Sequence, residues 1–483
     1  MNSSSFILVE WIECKDQYVY THILLINLDT YGGLILEQKL RSHWGSRVGF
    51  VLAVAGSAVG LANIWKFPFT VGKYGGAAFI IVYLLALLII GFPVFIAEVL
   101  IGRNTQKNPR GAFERLGGKK WGWAGGLTIA TGFIVSSFYS AIAGWVLGYL
   151  VESLNGGLKN LSTIQDAAQH YQSLMYSPWW CVGFHFTFMI FCCAVLYMGV
   201  RQGIEKYSKV FMPLLFIILL LLVLRGVTMA NASLGLDYLF RPDWSALTPT
   251  AILAALGQAF FTMSLGQGTM ITYGSYLHQK ENVLSACLPA LLMDTIVSIL
   301  AAIAVFTIVF SVGLNPDVGP GLVFQTLPIA FHQIPWGGVF STLFFLLVAI
   351  AAVTSEISAM EPAIAYLIDE WEISRHRAVW ICGVGAFLLG IPSALSFSLF
   401  DGAFLDLVDT LCTQILIPLG GFFAVVLVGW RWGANKAVAH LQSGATELFD
   451  RHAWLRVYFR FCFKYCAPLL MVVIFLNALG VFS

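Results

Sequence analysis

The sequence predicts an all-α integral membrane protein of about eleven transmembrane helices. Three observations predict it: an apolar composition, apolar runs of spanning length, and basic residues that crowd alternate connections. Of the 483 residues, 58% are hydrophobic and 11% charged, with a mean hydropathy of +0.80; soluble domains carry roughly a quarter charged residues. No water-soluble core absorbs that much apolar surface. A hydrocarbon layer about 30 Å thick takes about 20 apolar residues per helix, and residues 77–97 (AAFIIVYLLALLIIGFPVFIA) supply such a span without a single charge.

Taken in order, the first expected helix, 46–70, is interrupted by Gly56, Gly60, Asn63, Lys66 and Pro68, where a plain span would carry Leu and Val. Uninterrupted runs follow at 77–102, 121–152, 178–199 and 206–227. The sixth, 250–276, is again broken, by Gly257, Gln258, Ser264, Gly266, Gln267 and Gly268. The seventh, 283–313, holds Asp294 well inside an apolar run, and four more lie at 338–369, 377–397, 403–431 and 454–481. Residues 323–332 are too short to span and read either as a helical lid or as an ordinary connector. Residues 1–40 are half polar and have no small-residue cleavage site after an apolar run, so they read as a cytoplasmic tail or an over-extended start rather than as a signal peptide.

Short cytoplasmic loops collect Lys and Arg. Arg103, Lys107, Arg110, Arg115, Lys119 and Lys120 crowd the second connection, Arg201, Lys206 and Lys209 the fourth, Arg375 and Arg377 the eighth, and Arg431, Lys436 and Arg451 the tenth. The N-terminus is therefore expected in the cytoplasm and the C-terminus outside a cell membrane. The net charge of +2 gives no sign of a nucleic-acid partner. The nine cysteines are scattered along apolar stretches without a Cys-x-x-Cys pair, so they read as small buried hydrophobes.

The two interrupted helices stand five apart, which divides the chain into repeats at 41–228 and 229–432, followed by a loop and last helix at 433–483. An odd number of helices per repeat sets the two repeats upside down relative to each other. Unwinding a helix within a bilayer frees carbonyls and N–H groups, a cost tolerated only where they line a cavity or bind something. Paired glycine-interrupted segments in two inverted halves point to a carrier's binding site. Asp294 points the same way, because a carboxylate at the centre of a spanning helix needs a cation or donor to answer it. Gly56 and Gly60 also fit a small-xxx-small packing face, but packing alone does not explain the amide of Asn63.

Three runs, AVAGSAVGLANIWKFPF (53–69), GQAFFTMSLGQGTMITYGSY (257–276) and AAVTSEISAMEP (351–362), resemble the neurotransmitter:sodium symporter family in sequence, order and spacing. The likeness runs from about Arg41 to the C-terminus, and the expected helix count matches the family's bacterial eleven-helix members. It implies a LeuT-like fold and sodium-driven uptake of an amino acid or related small solute by alternating access. It further implies one sodium site from Ala58, Asn63, Thr262 and Asp294, and a second from Gly56, Val59, Ala351, Thr354 and Ser355. The solute cavity implied by position is lined by Ser57, Ala58, Gly60, Val135, Tyr139, Phe261, Ser264, Gln267, Glu356 and Ala359. Family members that need chloride carry a neutral residue where Asp294 stands, so chloride is not expected to be required; Ser298, Tyr83 and Gln258 remain the candidates for an anion pocket.

Gln267 and Glu356 depart from members that handle purely apolar amino acids. Glu356 has two readings: it receives a solute ammonium or polar group, or it hydrogen-bonds unwound backbone. The implied outer gate pairs Lys66, where the family usually has Arg, with Asp406 in preference to Asp409. The implied inner gate pairs Arg41 with Asp369, with Tyr276 nearby, and Glu98 is expected to support the unwound segments. An ion channel would show repeated filters or identical subunits. A membrane-embedded enzyme would show a catalytic motif, yet neither His-Glu-x-x-His nor Gly-x-Ser-x-Gly occurs. A sensor that binds without transporting differs only in flux.

Overall fold

The computed structural model describes residues 7–8, 24–25, 42–314 and 321–478. The rest of the expected tail, and Arg41 at the start of the first repeat, lie outside the described residues. The chain divides into units Met1–His43 and Trp44–Ser483. In the first, Ile7–Leu8 pairs antiparallel with Leu24–Leu25. The second is helical and carries every feature discussed below.

Its spans are α1a (Arg47–Ala58) and α1b (Ala62–Lys73), α2 (Ala77–Thr105), α3 (Lys119–Asn155), α4 (Pro178–Tyr197) and α5 (Val200–Val227). They continue as α6a (Pro249–Thr262) and α6b (Thr269–Ser275), α7 (Val283–Ser311), α8 (Gly337–Glu370), α9 (Arg375–Ala394), α10 (Ala403–Arg431) and α11 (Trp454–Asn477). Among the described residues, nine of these are long and apolar enough to cross a membrane, and the bent pair α1a–α1b makes ten. Counting α6a and α6b as one broken span restores the expected eleven.

Both expected interruptions are present. Helix α1a starts on Ser46, whose side chain caps the Gly49 N–H, and stops at Val59, where the backbone becomes extended; α1b leaves at 52° to it. Between α6a and α6b, Ser264, Gly266 and Gly268 have φ of +51°, +75° and +75°, a region that disfavours side chains other than none. Gly266 is doubly constrained, because a Cβ there would also run into the Ile417 carbonyl of α10.

A second local pattern recurs at five prolines, though not at Pro213, Pro289, Pro362 or Pro392, which sit inside continuous helices. Wide turns of the π type at Ala62–Lys66, Leu87–Gly91, Leu322–Thr326, Leu411–Leu416 and Cys462–Cys466 each lie just before a proline, respectively Pro68, Pro93, Pro328, Pro418 and Pro468. A proline ring clashes with the carbonyl four residues back, and one extra residue in the preceding turn relieves the clash without ending the helix.

Helix α8 packs along α3, α7 against α5 and α1a, and α6b against α2. The segment Leu322–His332 is helical. Short helices that hydropathy did not reveal lie at Pro109–Gly117, Ile164–Met175, Ala232–Phe240 and Ala434–Gln442.

Candidate functional site

The two breaks meet. The Ser264 hydroxyl of the α6 break donates to the Ser57 carbonyl of α1a at 2.8 Å, and Glu98 of α2 accepts the Gly266 N–H at 2.7 Å. Glu98 is fully buried and its second oxygen has no hydrogen-bond partner. Such a carboxylate substitutes for the helical acceptor that the Gly266 amide lost on unwinding. The positions expected to serve the solute and the ions gather around this junction.

Asn63, just inside α1b, is wholly buried. Its Nδ2 donates to Asp294 Oδ1 at 2.7 Å and to Ser298 Oγ at 2.8 Å, while its Oδ1 accepts the Gly60 N–H at 2.9 Å. Tyr83 OH reaches Asp294 Oδ2 and the Thr262 hydroxyl at 3.5 and 3.4 Å. Gln258 donates to the Ala62 carbonyl at 3.4 Å. Asn63, Thr262 and Asp294 thus stand together with the three candidates for an anion pocket, Tyr83, Ser298 and Gln258. The Asp294 carboxylate has only neutral partners among the described residues. A buried carboxylate in that setting calls for a cation, and the surrounding oxygens suit a hard one. The amide of Asn63 turns its NH2 group, not its oxygen, toward Asp294, so a cation bound through Asn63 requires the amide to rotate.

The second expected ion position is built from α1a carbonyls facing α8. Ser355 Oγ lies 3.5, 3.2 and 3.3 Å from the carbonyl oxygens of Gly56, Ser57 and Val59. Thr354 Oγ1 bonds the Ile350 and Ala351 carbonyls at 3.2 and 3.1 Å. Every donor atom here is a neutral oxygen, again a set for a hard monovalent or divalent cation.

Among the expected solute contacts, Tyr139 OH accepts the Leu61 N–H of the α1 break at 3.3 Å. Gly60 lies so near that a Cβ would sit 2.5 Å from Ser355 Oγ and 3.1 Å from Tyr139 OH. Ser57 Oγ pairs with Ser358 Oγ at 2.7 Å. The carbonyls of Gln267 and Ala359 both press on Gly132 of α3, and Val135 lies on the same helix, buried. Glu356 is fully buried; it takes a hydrogen bond from Ser136 of α3, with its other oxygen unpartnered. Its hydrogen-bond partner is therefore on α3 rather than on either unwound segment.

The outer gate departs from expectation. Among the described residues no carboxylate lies within 4.0 Å of the Lys66 ammonium, which sits 4.6 Å from the centre of the Phe261 ring. Asp406 is exposed on the first turn of α10, and Asp409, one turn on, lies within electrostatic reach of Lys66. At the other end, Arg41 lies outside the described residues. Asp369 accepts from the Asn108 backbone and side chain at 3.0 and 3.1 Å, and the Tyr276 hydroxyl donates to Glu361 at 2.7 Å. Glu361 also receives Arg375 in a two-pronged pair at 2.9 and 2.7 Å. Trp44 bonds the Tyr273 and Tyr276 carbonyls at 3.0 and 3.2 Å, tying the entry to α1a onto the end of α6b. Glu361, Arg375, Ser136 and Ser358 were not singled out from the sequence. Glu361 carried the same signal as Asp294, an acid inside an apolar run.

The family model "Sodium:neurotransmitter symporter family" matches residues 41–172 and 180–483. An uncharacterized sodium-dependent transporter of Bacillus subtilis (strain 168) is 36% identical, over 92% of this chain and 99% of its own length. One from Methanocaldococcus jannaschii is 30% identical over 92% of both chains. The human sodium- and chloride-dependent GABA transporter 2 is 24% identical over 91% of this chain and 80% of its own. The crystal structure of MhsT in complex with L-phenylalanine superimposes with a TM-score of 0.83 at 38% identity, covering 91% of this chain and all of MhsT. The architecture is accordingly LeuT-like, two inverted five-helix repeats with discontinuous first and sixth helices. With broken helices meeting at a buried acid and the family model matching across both repeats, the chain belongs to the sodium:neurotransmitter symporter family, as a sodium-coupled multi-pass membrane transporter and not an enzyme.

Proposed function

We propose that this protein drives uptake of an amino acid with two sodium ions and without chloride, by alternating access. The observation that carries the reading is Asp294, a buried carboxylate facing Asn63, Thr262 and Tyr83 with no cationic side chain against it among the described residues. It supplies the negative charge that a first sodium ion needs, where an otherwise similar neutral site would need an anion. Ala58, Asn63, Thr262 and Asp294 hold that ion, with the solute carboxylate completing its shell, and the Gly56, Val59 and Ala351 carbonyls hold the second with Thr354 and Ser355. Because the solute completes the first shell, ion and solute each raise the other's affinity by the same factor.

The Gly60 and Leu61 N–H groups of the α1 break, held here by the Asn63 amide oxygen and the Tyr139 hydroxyl rather than by a helical carbonyl, favour an anionic group, which fits an α-carboxylate beside Tyr139, Ser57 and Gly60. Phe261, Val135, Ser264, Gln267 and Ala359 enclose the rest. MhsT, crystallised with L-phenylalanine, supports an amino acid as the solute class. The free oxygen of Glu356 suits an ammonium or polar side chain on the solute, so a polar or cationic amino acid fits this cavity better than a purely apolar one. Moving one charge down about 100 mV yields about 2.3 kcal/mol, and a tenfold sodium gradient adds about 1.4 kcal/mol per ion. Two ions then give roughly 7 kcal/mol, enough for about 10⁵-fold accumulation of a zwitterion. Helices α1, α2, α6 and α7 rock against α3, α4, α8 and α9. The N-terminus is cytoplasmic and the C-terminus external, from the basic connections. Equilibrium binding of an amino-acid panel to the purified protein tests the reading: binding of at least one amino acid strengthens as sodium is titrated in and is indifferent to replacing chloride by gluconate. Sodium-independent binding, or a chloride requirement, overturns it.

A further inference from the structure

A cavity of about 620 Å³ opens on the side of the bundle between α3, α8 and α9, away from the broken helices. Its rim is basic: Arg110, at the start of the short helix Pro109–Gly117, with Lys119 and Lys120, the first residues of α3. Its deeper wall is apolar, from Ile129, Phe133 and Leu367 among others. Glu114 is the one acid on the lining, and Arg110 meets it at 3.4 Å while also donating to Tyr366 OH at 3.0 Å. That leaves two exposed ammonium groups, Lys119 and Lys120, with no carboxylate within 4.0 Å among the described residues.

The depth of this cavity is marked by tryptophans. Trp123 lines it and is 61% exposed, and Trp371 and Trp380, at the adjoining ends of α8 and α9, are 62% and 50% exposed. Large exposed indoles at the ends of spanning helices lie at the boundary between hydrocarbon and headgroups. The basic rim is therefore at headgroup level and the apolar wall within the acyl layer. A basic pocket between spans at that level matches an anionic lipid headgroup.

We propose that this cavity binds an anionic phospholipid, its phosphate held by Lys119 and Lys120 and its acyl chain lying along Ile129, Phe133 and Leu367. Charge complementarity selects the occupant: zwitterionic lipid offers the same chains but brings an ammonium to a rim that already carries three cations against one acid. The apolar wall makes a lipid fit where free phosphate would leave that surface wet.

The test is native mass spectrometry of the full-length protein released from mild detergent, titrated with phosphatidylglycerol, with phosphatidylcholine of the same chains, and with inorganic phosphate. The wild type is expected to retain phosphatidylglycerol over phosphatidylcholine and to ignore millimolar phosphate. Lys119→Gln with Lys120→Gln is expected to weaken phosphatidylglycerol retention roughly thirty-fold, since each cation near a headgroup contributes about one kcal/mol. A control pair elsewhere, Arg451→Gln with Lys436→Gln, is expected to leave it unchanged. Equal retention of both lipids, undiminished retention in the Lys119/Lys120 variant, or displacement by inorganic phosphate would each overturn the proposal. Both lysines are exposed, so the variants are expected to fold, and a monodisperse gel-filtration peak checks this.

Discussion

The amide of Asn63 and the carboxylate of Asp294 are hydrogen-bonded at 2.7 Å across the gap between α1b and α7, both wholly buried. Each partner is short of what it needs. Asp294 lacks a positive charge, and Asn63 spends its oxygen on the Gly60 N–H at 2.9 Å. A cation entering this cluster answers the first deficit and competes for the second. The relationship ties ion binding to the backbone of the α1 break, where the solute carboxylate is proposed to sit.

Asp294→Asn removes the protein's own negative charge and keeps the shape. Loss of a charged ligand costs about 1.5–3 kcal/mol, so the sodium concentration for half-maximal uptake is expected to rise at least tenfold. Chloride is then expected to restore part of the activity through Tyr83, Ser298 and Gln258. Uptake compared in chloride and gluconate buffers measures this; a variant with wild-type sodium dependence would remove Asp294 from the ion site.

Gly60→Ala and Gly257→Ala form a contrasting pair. At Gly60 the new Cβ lies 2.5 Å from Ser355 Oγ, whereas at Gly257 it meets nothing within 4 Å. Gly60→Ala is expected to lower sodium-dependent uptake more than tenfold. Gly257→Ala, inside α6a, is expected to leave uptake intact and to stabilise by up to about 1 kcal/mol through helix propensity. Uptake and Tm in detergent report the two effects.

Arg375→Met strips the guanidinium from Glu361, whose side chain is 0% exposed. Breaking one half of a buried pair costs about 3–5 kcal/mol, and a clear drop in Tm is expected. The double variant Arg375→Met with Glu361→Gln is expected to recover much of that loss, because no charge is left buried alone. A double variant as unstable as the single one would show that the pair contributes through packing.

Glu356→Ser tests the solute-facing role of that acid. If its free oxygen receives a polar or cationic group, the variant shifts preference toward apolar amino acids with sodium dependence unchanged. A competition panel against a labelled amino acid reads the shift; an unaltered selectivity profile assigns Glu356 to the packing of α8 on α3 through Ser136.

Much of this was legible because bilayers impose strict rules. Glycines clustered with Asn63 and Gln267 inside apolar runs have few uses other than broken helices, and a lone acid such as Asp294 within a span has few uses other than binding. Glu361 obeyed the same rule, but its partner Arg375 stood in a basic connection, where it read as one more charge of the positive-inside pattern. The pairing depends on how α8 and α9 turn back on each other, which no local spacing reveals. Lys66 was expected to find Asp406, and the structure seats its ammonium 4.6 Å from the centre of the Phe261 ring, a cation–π contact that sequence spacing does not reveal. The helices Pro109–Gly117 and Ile164–Met175 escaped notice because they are too short and polar for a hydropathy window. The Thr163 and Asp166 capping box at the head of the second was readable as a start signal.

If a sodium gradient does work on an amino acid, it shows most directly in uptake of a radiolabelled panel into proteoliposomes under an inward sodium gradient, with choline and potassium gradients as controls. Accumulation of at least one amino acid above its equilibrium level, in the sodium case alone and without a need for chloride, is the predicted result. Equal uptake under all three gradients, or sodium-linked binding with no flux, would contradict the account.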